Sequence, residues 1–115
     1  MIREGQVVLF RFPYADQKEG KLRPALVIRQ LPGAYEDWLI CMISSQLSQA
    51  VSSFDEIISE EDPDFSSSGL KFASAIRISR LAVVDKNILI GTIGEISTER
   101  LTRIKNRLSD WLIGR

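Results

Sequence analysis

The sequence of 115 residues contains no histidine, and Cys41 is its one cysteine. Without an imidazole there is no Ser-His-Asp triad, no Cys-His pair and no histidine acid/base pair for cutting RNA. The same shortage removes the usual zinc sites, which draw on several Cys and His ligands. A lone thiol forms no internal disulfide, in keeping with a reducing cytosol. No Gly-rich loop runs into Lys-Ser or Lys-Thr, so nucleoside triphosphates find no phosphate cradle. Apolar runs stay short, Trp38 to Ile43 being typical, against the roughly 20 residues that span a bilayer. Met1 to Gly5 carries no basic flank before an apolar stretch, so no secretory signal is read. A net charge is missing too: fifteen Lys and Arg balance fifteen Asp and Glu.

What is present fits one soluble domain over residues 1–115, with 44% hydrophobic and 26% charged residues. A chain this small is marginally stable alone, and a dimer would add apolar burial. The balanced charge is unevenly laid out. Asp55, Glu56, Glu60, Glu61, Asp62 and Asp64 crowd into ten positions without a Lys or Arg. Everything outside that stretch is net basic, which leaves room for a local cationic groove. The acidic stretch lacks the Gly-centred calcium-loop spacing, so a solvated loop is expected there rather than a cation site.

Hydrophobic periodicity predicts mostly strands. Val7 to Phe12 is a β-branched and aromatic run ended by Pro13. A polar loop from Tyr14 to Leu22 follows, then Arg23-Pro24 opens a second strand through Ile28. Trp38 to Ile43 reads as a strand buried on both faces, with Ser44 and Ser45 at its end. Phe54, Ile57 and Ile58 mark a weaker strand, and Glu60 to Gly69 a loop. Ala75 to Ile78 and Ile88 to Ile90 read as short strands, with Leu81 to Val84 between them. Gly91-Thr-Ile-Gly94 has the outline of a nucleic-acid-clamping loop, but a turn at a strand end is the simpler reading. From Thr98 the period becomes helical: Leu101, Ile104, Leu108, Trp111 and Leu112 form a stripe, with Arg100, Arg103, Lys105 and Arg107 opposite. Ser97 or Thr98 suits the N-cap and Gly114 the stop. The expected architecture is mainly β with a C-terminal α-helix: a curved sheet or small barrel closed by that helix.

Two features carry chemistry. Arg23, ahead of Pro24 beside the polar loop, offers a planar and permanently charged fork suited to phosphate. A surface ion pair with Asp16 or Glu19 is its plainer role. Ser44 and Ser45 offer hydroxyls at a strand end, where turn capping is the plainer role.

In order along the chain, Gly5-Gln-Val-Val-Leu-Phe-Arg-Phe-Pro13, the polar loop and Arg23-Pro-Ala-Leu-Val-Ile28 resemble the N-terminal signature of the MazF/PemK toxin family. Ile43-Ser-Ser-Gln46 is similar to that family's strand-end hydroxyl motif. Gly69 to Leu81, Ile90-Gly-Thr-Ile-Gly-Glu-Ile96 and the closing helix are similar to its PemK-like branch. The resemblance implies a small SH3-like β-barrel of the MazF/PemK/CcdB type that forms a homodimer. It implies the toxin of a type II toxin–antitoxin system, a metal-independent and cofactor-free endoribonuclease acting on single-stranded RNA in the cytoplasm. A cognate antitoxin would occupy the RNA groove. The family's catalytic Arg maps onto Arg23 and its catalytic Thr or Ser onto Ser44, with Ser45 as the neighbouring choice. Where many members have Thr this chain has Ser, which lacks the methyl that restricts the rotamer. Lys18, Lys21, Arg29 and Arg77 are read as phosphate contacts, Gln46 or Tyr14 as a contact to bases, and Ser45 as a further RNA-binding residue. Two alternatives stay open: a toxin of the same fold that poisons a protein such as DNA gyrase, and an SH3-like binding module.

Overall fold

A computed structural model describes residues 1–11 and 21–115. Six strands form one antiparallel sheet: β1 (Gln6–Arg11), β2 (Leu22–Gln30), β3 (Asp37–Ser44), β4 (Glu56–Ile58), β5 (Ser74–Asp85) and β6 (Leu89–Glu95). Their spatial order is β4-β5-β3-β2-β1-β6. Two helices accompany them, a single turn α1 (Phe65–Ser68) and the 16-residue α2 (Thr98–Ile113). Most of the loop expected from Tyr14 to Leu22, with Lys18 in it, lies outside the described residues. Its last residue, Leu22, already belongs to β2.

Alternation along the strands creates two cores. Val8 and Phe10 of β1, Ala25 and Val27 of β2, and Trp38 and Ile40 of β3 meet on one face. Val7, Leu26, Ile28, Cys41 and Ile43 point to the other, where Ile104 and Leu108 of α2 cover them. Burial on both sides explains why these strands read as continuous apolar runs. Burial also pushes the Cys41 thiol up, with the Asp55 charge adding to the effect; the thiol stays protonated and inert.

The sheet must roll. On a flat sheet β5 and β6 would stand about 19 Å apart, four spacings of roughly 4.8 Å. Asp85 joins Leu89 in four Cα steps through a 3-10 turn, a reach of at most about 14 Å even fully extended. Val84 of β5 and Leu89 of β6 accordingly pack on the same core, inside the roll. Strand pairing nevertheless leaves β4 and β6 as the sheet's edges. The SH3-like shape is therefore reached by rolling, without a hydrogen-bonded closure among the described residues.

The segments read as 75–78 and 81–84 are one 12-residue strand, β5, interrupted by a bulge: Met42 pairs with Arg77 while Cys41 pairs with Leu81. Asp55 pins that bulge, accepting from the Ser79 N–H and the Ser79 hydroxyl, both at 2.9 Å. Gly91 to Gly94 lies inside β6 and forms no strand-end turn. Gly94 is needed because α1 crosses there; a Cβ would sit 2.2 Å from the Ser67 carbonyl oxygen.

The acidic stretch departs furthest from the solvated loop expected of it. Asp55, Glu56 and Asp64 are buried, and so is Arg100, which the helical pattern assigned to the polar side. Arg100 donates to Asp64 through Nε at 2.8 Å and Nη2 at 3.1 Å, to Glu56 through Nη1 at 2.8 Å and to Asp62 at 3.0 Å. Arg103 and Arg107 approach Glu56 to 3.1 and 3.2 Å. Burial alone would raise Asp64, but the bonds from Arg100 and from the Ser97 backbone hold it down at about 2. The same pairing raises Arg100 against its own burial.

α2 starts at Ser97, whose hydroxyl oxygen accepts from the Arg100 N–H at 3.1 Å, and stops at Gly114 with φ of 96°. The apolar stripe holds for Ile104 and Leu108 but not for the last turn. Trp111 and Leu112 are 58% and 69% exposed, Trp111 leaning on Phe54.

Candidate functional site

Register settles the relation between Arg23 and Ser44. Ala25 pairs with Met42 across β2 and β3, and these side chains share the inner face. The strands are antiparallel, so two residues toward the same end Arg23 and Ser44 come side by side on that face. Arg23 also pairs with Phe10 of β1, another inner-face residue. One strand further, Arg77 pairs with Met42. Three elements thus deliver two guanidiniums and a hydroxyl to one edge of the roll.

That edge opens into a groove of about 910 Å³. Lys21, Arg23, Ser44, Ser45, Gln46 and Arg77, each assigned from sequence to RNA, all line it. Lys71 and Arg80 bring the cations to five, and no described lining residue is acidic. Such a surface attracts polyanions although the whole chain is neutral. Leu9, Pro24, Leu70, Phe72 and Ile93 add an apolar side.

Hydrogen bonds order the hydroxyl. The Gln46 N–H donates to Ser44 Oγ at 3.0 Å, so the Ser44 O–H remains a donor for a ligand oxygen. This bond does for Ser44 what a β-methyl does for Thr, fixing where the oxygen points. Gln46 Oε1 accepts from Gln49 Nε2 at 3.1 Å, and Gln49 Oε1 accepts from Arg77 Nη1 at 3.3 Å. Arg77 is thereby held at the groove with its Nε buried and without a hydrogen-bond partner. An unpaired buried donor is costly and calls for an acceptor from a ligand or water.

Arg29 does not belong here. It stands at the opposite end of β2, roughly 20 Å from Arg23 at about 3.3 Å per residue, and its Nη1 lies 3.4 Å from Glu4. The strand that carries Arg23 into the groove carries Arg29 out of it. Lys71, Phe72, Arg80 and Gln49 were not singled out from sequence. For Lys71-Phe72 a signal existed, a cation beside an aromatic in a polar stretch; for Arg80 the β5 bulge had to be seen.

The family model of the PemK-like, MazF-like toxins of type II toxin–antitoxin systems matches residues 3–112. The chain belongs to this family. A search of curated protein sequences gave no match. Among solved structures, the Mycobacterium tuberculosis toxin MazF-mt6 superposes with a TM-score of 0.65 at 12% identity, covering 94% of this chain and 96% of that one. At that identity the likeness speaks for the fold: a rolled sheet with a terminal helix is the PemK-like scaffold here. No helix among the described residues is long and apolar enough to cross a membrane.

Proposed function

We propose that this PemK-like toxin is an endoribonuclease that cuts single-stranded RNA without a metal. One observation carries the reading: Arg23 and Ser44 share a face and a groove whose described lining has five cations and no carboxylate. Such a lining suits a phosphodiester and offers a hard cation no charged ligand.

In this reading a ribose 2′-oxygen attacks its own 3′-phosphorus. The new O–P bond forms as the bond to the 5′-oxygen breaks, giving a 2′,3′-cyclic phosphate and a free 5′-hydroxyl. The attack is intramolecular, so alignment and charge neutralisation are the protein's main tasks. The Arg23 fork neutralises the non-bridging oxygens, and the Ser44 O–H donates to one of them. The 2′-proton passes to solvent and a proton from water reaches the 5′-oxygen. Residues 1–115 act as one domain, with a second copy, a cognate antitoxin and cytoplasmic RNA as partners.

Incubating the purified protein with a long mixed-sequence RNA in EDTA and mapping the new ends tests this directly. Discrete cuts with 5′-hydroxyl ends are expected. Intact RNA alongside retained toxicity would sink the nuclease reading in favour of a protein target. Cleavage that needs added metal would remove the metal-free chemistry.

A further inference from the structure

The chemistry above leaves one rim of the groove without a task. Phe72, on the loop between α1 and β5, lines the groove and is 64% exposed. Its backbone is fastened on both sides. Gly69 lies so close to β6 that a Cβ would come within 2.0 Å of the Ile93 carbonyl oxygen. The Leu70 N–H donates to Ser68 Oγ at 3.1 Å, and the Ser74 hydroxyl donates to the carbonyl of Phe72 itself at 2.8 Å. The ring is thus held out on a set backbone, beside Lys71 and within a groove that also holds Arg77 and Arg80.

Resting on the nuclease reading, we propose that Phe72 is a stacking platform for one base of a single-stranded nucleic acid, with Lys71 on the adjoining phosphate. Single strands are held by this pairing of flat aromatic faces with cations, because every base has a π face and every linkage a charge. An exposed ring with cations beside it matches the alternation of flat base and charged linkage along a single strand. Stacking asks only for an open face, and an ordered platform loses little entropy when a base arrives.

The test uses the full chain and a fluorescein-labelled RNA carrying 2′-O-methyl at every position, which binds but cannot be cut. Fluorescence anisotropy reads the affinity, and thermal melting checks that each variant is folded. Phe72→Ala is expected to weaken binding roughly 5- to 150-fold, the range for one lost base stack. Phe72→Tyr and Phe72→Trp should restore it; Phe72→Leu, apolar but without a π face, should not. Lys71→Ala should flatten the slope of log affinity against log salt by about 0.7, whereas Phe72→Ala leaves the slope unchanged. Parental affinity in Phe72→Ala, rescue by Phe72→Leu, or no binding of the RNA by the parent protein would each overturn the proposal. So would a loss confined to binding of a poly-glutamate peptide, which would mark the rim as a protein-docking surface. If the parent binds this RNA but fails to cut ordinary RNA, the nuclease reading fails while the platform stands.

Discussion

Ser44 shows how a short side chain can be made directional by its neighbour two residues on. The Gln46 N–H occupies one acceptor position of its oxygen, so the proton is left to point outward. Ser44→Ala removes that donor and is expected to lower the cleavage rate about 10²–10³-fold, as for loss of one oxyanion donor. Ser44→Thr keeps the hydroxyl and should retain activity. Arg23→Ala should cost at least as much, about 2.7–4 kcal/mol of transition-state stabilisation, read from single-turnover cleavage. Asp64 makes a separate prediction. Its carboxyl titrates at about 2 in the fold against 3.8 as the reference. A depressed native value means the stabilisation is complete above about pH 4 and drains away as pH falls toward 2, a total of about 2 kcal/mol. Urea midpoints measured across that window should fall more steeply for the parent than for Asp64→Asn.

α2 is an element tied down by charge as much as by apolar contact. Arg100, Ile104 and Leu108 follow one another at four-residue spacing, and all three are buried. Arg100→Ala would strand Asp64 in the interior, while Glu56 keeps Arg103 and Arg107, a loss of about 3–5 kcal/mol. Adding Asp64→Asn removes one stranded charge and should return part of that loss in a double-mutant cycle. The positions of β1, β2, β3 and α2 were legible because apolar alternation and caps are local signals. Arg100's place was not, since residue type argued for solvent while its spacing matched Ile104 and Leu108. The clue lay in complementarity: six acids without a base in one stretch, and Arg100, Arg103 and Arg107 along one helix. For the candidate site, Arg23 and Ser44 were singled out through the family resemblance, at the ends of recognisable strands whose register brings them to one groove. Arg29 was misplaced because a strand's length separates residues that sequence sets six apart. Phe72 and Arg80 depend on a loop clamp and a bulge that only the tertiary structure reveals.

Across the whole molecule, the zero net charge hides a division of labour. Glu56, Asp62 and Asp64 are consumed by α2, leaving the groove cationic. Binding of single-stranded RNA should therefore weaken with salt, the five described cations contributing a log–log slope of up to about −3.5 at roughly 0.7 each. Anisotropy titrations across a salt series measure it, and a slope near zero would deny the groove an electrostatic role.

All the described groove residues fall between Leu9 and Ile93, upstream of the helix that begins at Thr98. The cations that neutralise the interior carboxylates come from that helix. A chain emerging from the ribosome thus displays every site residue before it owns the means to hold them in place. Competence therefore waits until that helix is free to dock.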